Sequence, residues 1–382
     1  MTLIFLFIEF IDELNFGFQD AAWPLIRADL HLAYFQIGIL LSLPGVLGNL
    51  IEPFLFILGD IWKRRIIILA GGLFFTVAII LTAISHNFIF LLIAFILFNP
   101  SSGAFVSLSQ ATLIDADTAR HEQNMARWTF AGSLGVFLGP LLLGGLIALG
   151  FGWRMGFWVL AAFSTVILLA ALKLIPKFAS PASGFPLHHA LIDGLRFAFS
   201  ALKDIGVLRW LILLEFSNLM LDILYGFLAL YFVDVVRVSP AFAALGVAVW
   251  TGLGLLGDFL LIPLVEHVKG LDYLRISVIV ELLLFPIFLL ATAFWFKLIM
   301  VGLLGFFNSG WYAILKANLF SSLPGKSGSV LALDSITGLF GKLIPFGIGL
   351  AAQVFGLGFA MWLLLAGPIV LLIGLPRKKL PS

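Results

Sequence analysis

The sequence predicts an all-α membrane protein, with about twelve membrane-spanning helices in two pseudo-symmetric six-helix bundles. The 382 residues are 62% hydrophobic and only 11% charged, with a mean hydropathy of +1.15, whereas a soluble domain has about 25% charged residues. Apolar runs of roughly 20 residues, each long enough to cross the hydrocarbon core as a helix, recur along the chain. Acidic and glycine motifs of the first half return in the second half at a constant spacing.

Hydropathy divides the chain into two sets of six spans. The first set is predicted at 2–26, 34–58, 66–85, 88–113, 128–149 and 155–175, and the second at 210–233, 241–265, 276–294, 298–320, 333–355 and 359–376. These sets define an N-terminal half, 1–175, and a C-terminal half, 209–382, joined by a linker at 176–208. Prolines interrupt helix formation at the start of the linker. The pattern of 187–205 is typical of an amphipathic helix at the cytoplasmic interface.

The distribution of Lys and Arg predicts the orientation of the chain. Most of them fall in loops on the side that holds both termini, whereas the opposite side holds Arg27, Arg154, Arg237 and Lys297. Because basic loops stay in the cytoplasm, we expect a multi-pass protein of the cell membrane with both termini cytoplasmic.

An internal repeat with an offset of 206 positions relates the two halves. The matching pairs lie in several helices of each half: Glu9 and Glu215, Gly48 and Gly254, Glu52 and Asp258, Gly132 and Gly338, Gly135 and Gly341. An even number of helices per half means that both copies enter the membrane in the same direction. This parallel arrangement predicts a central cavity between the halves, although an old duplication without a transport role would leave the same pattern.

A short basic motif follows the second span and consists of Gly59, Asp60, Lys63, Arg64 and Arg65. Glycine ends a helix and a basic cluster faces the anionic leaflet, so an ordinary cytoplasmic loop would explain it. The motif also resembles the gating-loop signature of the major facilitator superfamily, Gly-x-x-x-Asp-Arg-x-Gly-Arg-Arg. Here it is shortened, since the Asp follows the Gly directly and the second Gly is missing.

The fifth span carries small residues at spacings of four and five, with a proline: Gly135, Gly139, Pro140 and Gly144. Small residues at such spacing let two helices approach closely, and a packing seam is one interpretation. The run is similar to the Gly-x-x-x-Gly-Pro motif of proton-coupled exporters in the same superfamily. This resemblance implies the major facilitator fold and transport by alternating access. The fourth span, 88–113, lacks the arginine of many drug exporters in the family.

The first span contains four acids, Glu9, Asp12, Glu13 and Asp20. At 100° per residue, Glu9, Glu13 and Asp20 share one helix face, and Glu13 is predicted near the membrane midplane. Ionisable side chains at this depth are costly and indicate a functional site. Burial and mutual repulsion favour the protonated carboxyl forms, which predicts a proton-binding stripe facing the cavity. Neutral, hydrogen-bonded packing residues are the alternative.

Other polar residues inside the predicted spans extend this site. We also assign six of these residues to the proton-coupling and substrate cavity: Glu52, Glu215, Asn218, Asp222, Asp258 and Lys316. Glu52 and Asp258 could instead pin helices together. Lys316 could pair with Glu281 or Asp222, or it could anchor a substrate or serve as a counter-ion.

The sequence therefore predicts a secondary active transporter that exports a small molecule by alternating access, driven by proton exchange. A proton-coupled uptake symporter and a lipid translocase are alternatives. A membrane-embedded enzyme is disfavoured because the spans hold no Ser/His/Asp set, His cluster or phosphate loop. We expect a monomer without metal or cofactor, whose partners are substrate, protons and membrane lipid. The net charge of +2 argues against nucleic acid.

Overall fold

The structure is a computed structural model that describes residues 2–61, 63–116, 121–175, 202–322 and 337–376. These residues form twelve long helices and no strand. Seven helices are described by a single range: α1 Thr2–Asp29, α2 Tyr34–Ile61, α3 Arg64–Ala83, α5 His121–Ala148, α6 Trp153–Leu174, α8 Pro240–His267 and α9 Gly270–Leu290. In α11, Thr337–Phe355, a turn at Lys342 and Leu343 precedes the segment Ile344–Phe355.

The other four helices contain irregular turns. In α4, a π turn at Gly103–Ser107 joins Phe88–Ser102 to Leu108–Ala116, and in α7 a π turn at Leu219–Ile223 joins Ile205–Ser217 to Leu224–Asp234. In α10, Ser309 and Gly310 separate Phe294–Asn308 from Trp311–Ser322. In α12, a 3₁₀ turn at Leu363–Leu365 joins Leu357–Trp362 to Ala366–Gly374.

Eleven of these helices are long and apolar enough to cross a membrane. The remaining helix, α1, is 28 residues long and holds the four acids of the first predicted span. The twelve-helix fold is confirmed. Several helices begin before the predicted span, α5 at His121 and α7 at Ile205 among them. Hydropathy detects only the part of a helix that lies in hydrocarbon, while backbone hydrogen bonding continues through polar residues at the ends.

The start of α7 has a clear local cause. The Asp204 carboxylate accepts hydrogen bonds from the backbone amides of Gly206 and Val207, which is a standard N-cap. Residues 176–201, and with them most of the predicted amphipathic helix of the linker, lie outside the described residues.

The helices pack as two bundles, α1–α6 and α7–α12. In the first bundle α1 packs against α5, and α3 packs against α4 and α6; in the second, α10 packs against α8 and α9. Among the described residues the bundles meet mainly through four helix pairs, α2 with α11, α5 with α8, α1 with α7, and α1 with α8. A site between the bundles is therefore bordered by helices of both halves.

Glycines of the α5 motif bring this helix against the backbone of α1. A Cβ on Gly139 would lie 2.3 Å from Phe18 N, and one on Gly135 would lie 2.6 Å from Phe10 O. No side chain fits at either position, which agrees with a packing seam. Gly144 has no heavy atom within 4 Å of the equivalent point. This close packing against α5 holds α1, the helix that carries the four acids, in position.

Candidate functional site

A cavity of about 1400 Å³ lies between the two halves. Its walls come mainly from α5, α8 and α10, and most of the lining side chains are apolar or aromatic, including Phe130, Trp250 and Phe259. The cavity extends to Arg275 and Pro376, at the membrane face where α1 begins and α12 ends. We call this the terminal face and its opposite the far face.

Two acids of α1 line the cavity, Glu9 and Glu13. The Glu9 carboxyl is hydrogen-bonded to the Trp128 side chain of α5. A Cβ on Gly132 would lie 2.6 Å from Glu9 Oε1, so the glycine makes room for this carboxyl. Glu13 interacts electrostatically with Asp222 of α7, which belongs to the other half. Glu13 is thus in electrostatic contact with an acid of the opposite bundle.

Asp12 lies on another side of α1, next to α4. The Ser102 hydroxyl is 2.9 and 3.0 Å from its two carboxylate oxygens. The Glu52 side chain of α2 also lies at this point of α4, because its Cγ is 2.6 Å from the position of a Cβ on Gly103. The acids of the first helix are therefore divided between the cavity and the α2–α4 interior.

The remaining acids of α1 and α7 have separate surroundings. Asp20 is buried, accepts a hydrogen bond of 3.2 Å from Trp23 Nε1 and interacts electrostatically with Asp222 and Glu13. Asn218 follows the first segment of α7, and Asp222, whose side chain is exposed, lies in the π turn. Glu215 lies against α11, since its Oε2 occupies the space that a Cβ on Gly341 would need.

Asp258 lines the cavity at the break in α10. Its Oδ1 accepts a hydrogen bond of 3.1 Å from Gly310 N, which the break leaves without a helical partner. The Ser309 hydroxyl donates to Gly254 O at 2.9 Å and so fastens the break to α8. Lys316 lies in the second segment of α10, with its Nζ 5.3 Å from the centre of the Tyr312 ring. The Glu281 carboxylate accepts no hydrogen bond from the described part of the chain.

The basic loop joins the ends of α2, α3 and α6. Arg64 Nε donates to Gly59 O at 3.3 Å, and Arg65 donates to Leu172 O near the end of α6 at 2.7 Å. Lys63 is exposed immediately before α3. The side chain of Asp60 lies outside the described residues.

Sequence reasoning missed a cluster that joins the halves at the far face, which we call the clasp: Arg27, Tyr34, Asp234 and Gln353. Asp234 accepts hydrogen bonds from Arg27 at 3.0 Å and from the Tyr34 hydroxyl at 2.8 Å. The Arg27 guanidinium lies 4.3 Å from the Tyr34 ring centre, and Gln353 accepts from Tyr34 N at 3.1 Å. The one available signal was that all four are polar residues at helix ends of the same face.

Lys297 has a different position from the loop that the sequence suggested. It is buried in the first turn of α10, where its amine donates to Phe288 O and Leu289 O in the last turn of α9. A cation at a helix C-terminus is favourable, so this lysine stabilises the α9–α10 connection.

Comparisons with known proteins agree with this architecture. The model of the family described as "Major Facilitator Superfamily" matches residues 5–345. The chain belongs to the Major Facilitator Superfamily. Members of this superfamily are transporters, and the chain is accordingly a multi-pass membrane transporter.

Several individual members of the superfamily resemble the chain over almost its full length. Quinolone resistance protein NorA of Staphylococcus aureus is 24% identical, with 95% of this chain and 94% of NorA covered. The structure of the nucleoside transporter NupG superposes with a TM-score of 0.77 at 13% identity, covering 97% of both chains. A bacterial homologue of the human lysosomal transporter Spinster, in an inward-facing and unoccupied conformation, gives a TM-score of 0.72 at 17% identity, covering 98% of this chain and 94% of its own. At these identities the structures support the fold alone.

Proposed function

We propose that the protein exports an amphipathic small molecule from the cytoplasm by alternating access, in exchange for protons. The observation that carries this proposal is the pair Glu9 and Glu13 on the wall of a large, mostly apolar cavity between the halves. An ionised carboxylate in such a place is costly, so each acid favours a proton or a cationic group of a substrate. The resemblance to NorA, which is named for quinolone resistance, supports efflux as the direction.

Alternating access is supported by the contrast between the two faces. The clasp joins α1 and α2 to α7 and α11 at the far face, while the cavity extends to the terminal face. A cycle then requires the clasp to open and the terminal face to close. Rocking of two parallel repeats about a central site is the general way in which such folds achieve this.

We also propose that the two halves, 1–175 and 209–382, arose by duplication. Contacts recur between residues 206 positions apart: Gly48 packs near Asn99, and Gly254 packs near Gly305. Each half thus places α2 or α8 against α4 or α10 at the matching depth. A monomer is sufficient for this mechanism, because both halves of the cavity come from one chain.

The proton-exchange proposal is tested by Glu13→Gln in reconstituted vesicles. Gln keeps nearly the same shape but binds no proton, so we expect accumulation of substrate against a gradient to fall to background. Exchange of substrate down its own gradient should persist, because only the proton step is lost. The measurement is uptake of a fluorescent cation into these reconstituted vesicles, with and without an imposed pH gradient.

The matched variant is Asp12→Asn, which changes an acid on the other side of the same helix. If pumping by Asp12→Asn responds to pH as in the unchanged protein while Glu13→Gln does not pump, the coupling acid lies on the cavity side. Normal pumping with an unaltered pH profile in both variants would contradict proton exchange through α1.

The proposed orientation, with both termini in the cytoplasm, is tested at Ile61. The chain contains no cysteine, so Ile61→Cys gives a single labelling site beside the basic loop. We expect a membrane-impermeant maleimide to label it in inside-out vesicles and not in intact cells. Strong labelling of intact cells would reverse the orientation and, with it, the direction of transport.

A further inference from the structure

The break in α10 leaves a set of hydrogen-bond acceptors on the cavity wall. Asp258 is exposed to the cavity, and among the described residues only its Oδ1 accepts a hydrogen bond, from Gly310 N. Asn308, the last residue of the first α10 segment, also lines the cavity. Its side chain is 3% exposed, and Asn308 Oδ1 has no hydrogen-bond partner among the described residues.

The orientation of the Asn308 amide is fixed by its other atom. Nδ2 donates to Met220 O of α7 at 3.0 Å, which leaves Oδ1 as the unsatisfied acceptor. A buried polar atom without a partner costs about 1–3 kcal/mol. The carbonyl end of a helix also carries a partial negative charge, so the first α10 segment adds to the negative potential of Asp258.

Side chains of α9 hold the break rigidly in place. Tyr273 OH donates to Ser309 O at 3.2 Å, and Trp311 Nε1 donates to the Ser277 hydroxyl at 2.8 Å. Together with the bond from Ser309 to α8, these contacts fix the two acceptors before any ligand arrives. A pre-organised site loses less free energy when it binds a ligand.

The charge and hydrogen-bonding pattern selects one kind of ligand group. A carboxylate and an amide oxygen both accept, so the complementary group carries positive charge and N–H donors. We propose that Asp258 and Asn308, at the break in α10, form a subsite for a primary or secondary ammonium group of the transported molecule. The inference rests on the proposed function, since it assigns part of the substrate to one wall of the same cavity.

The test uses two probes with the same ring system and the same charge: 1-pyrenylmethylammonium has three N–H donors, and its bulkier trimethylammonium counterpart has none. Binding is measured by fluorescence to the purified full chain at neutral pH. We expect Asp258→Asn to weaken the primary ammonium about 10–100-fold, the range for losing a hydrogen bond to a charged group. The quaternary probe should weaken less than about 5-fold, because it loses only charge attraction.

Two further variants separate the subsite from general effects. Asn308→Ala should weaken the primary ammonium about 10-fold, near the lower end of the range for a hydrogen bond in which one partner is charged, and leave the quaternary probe unchanged. Glu281→Gln neutralises a buried acid of α9 that is not among the cavity-lining residues, and both probes should bind to it as to the unchanged chain. Asp258→Asn keeps an oxygen that can accept from Gly310 N, so the break is retained.

The outcomes separate the subsite from the transport proposal. Equal loss of both probes in Asp258→Asn, or no loss of either, would overturn the ammonium subsite, as would an unchanged chain that binds neither probe. The result for Glu13→Gln in transport is independent of these measurements. The binding measurements can therefore contradict the ammonium subsite without contradicting proton exchange. The transport assay of Glu13→Gln can likewise contradict proton exchange without contradicting the subsite.

Discussion

The fourth and tenth helices differ at the same place in the two halves. In α4 the chain stays helical through the π turn at Gly103–Ser107, whereas 206 positions after Gly103, at Ser309, α10 is broken. An acid from the neighbouring helix meets each irregularity, Glu52 at Gly103 and Asp258 at Gly310. Glu52 and Asp258 are 206 positions apart in the repeat, but Glu52 packs against a continuous helix whereas Asp258 accepts a hydrogen bond from a backbone amide.

The difference shows how a small backbone change determines what an acid can bind. In α4, Glu52 packs on a helix whose amides remain within the helical turn. In α10, Gly310 adopts a positive φ of 74° and its amide points to Asp258. Helix irregularities are frequent at functional sites, but only the broken form leaves cavity-facing backbone groups for a ligand or an acid to use.

The largest expected effect is that of Gly310→Ala. A positive φ costs a residue with a Cβ about 1–2 kcal/mol, and this Cβ would also collide with Leu261 Cδ2. We expect a clear fall in the thermal unfolding midpoint in detergent and weaker binding at the break. Gly347→Ala is the control, because a Cβ on that helical glycine meets nothing within 4 Å. An equal fall of the midpoint in Gly347→Ala would show that the loss is not caused by the backbone conformation or the surroundings of Gly310.

A smaller loss is expected for Gly103→Ala, about 1 kcal/mol or less. Its Cβ would lie 2.6 Å from Glu52 Cγ, and a flexible side chain can move away. The comparison becomes sharper in a Glu52→Ala background, where the obstacle is gone. There Gly103→Ala should stabilise the protein, since alanine is favoured over glycine in a helix by about 0.5–1 kcal/mol. The measurement is the thermal unfolding midpoint of the unchanged protein, of Gly103→Ala, of Glu52→Ala and of the double variant. If Gly103→Ala lowers the midpoint equally with and without Glu52, the Glu52 side chain is not the cause of the loss.

The smallest effect is expected for Ser309→Ala, about 0.5 kcal/mol. It removes one hydrogen bond to Gly254 O, a carbonyl within α8, and hydrogen bonds of this kind contribute about 0.5–1.5 kcal/mol. The break should persist, because Asp258 and Tyr273 still hold it. We expect a nearly unchanged unfolding midpoint and normal binding of 1-pyrenylmethylammonium. A large fall of the midpoint or a large loss of binding would mean that the Ser309 hydroxyl is the main interaction that holds the break in place.

Most of the fold could be predicted because membrane helices obey a strong constraint. Backbone polar groups must be satisfied within each span, so long apolar runs translate directly into helices, as they do for eleven of the twelve. The break in α10 was not predicted, because the mean hydropathy of 298–320 is high enough for one span and hides the short polar run Asn308-Ser309-Gly310 inside it. The π turns of α4 and α7 have no sequence signature.

Side-chain positions in the site were less predictable than the helices. The helical period predicts one face for Glu9 and Glu13, and both side chains line the cavity. It could not fix how α1 is rotated among its neighbours, which decides that Asp12 meets Ser102. Contacts such as that of Arg27 with Asp234 join residues 207 positions apart, and no local sequence pattern predicts them.

The clasp at the far face has a consequence for leakage. A carrier with a cavity of this size would short-circuit the ion gradients of the cell if both ends were ever open together. Asp234 is the shared partner of Arg27 and Tyr34, so the loss of this one carboxylate would remove two of the three hydrogen bonds of the clasp. With the orientation proposed above, the clasp closes the outer face while the cavity opens toward the cytoplasm.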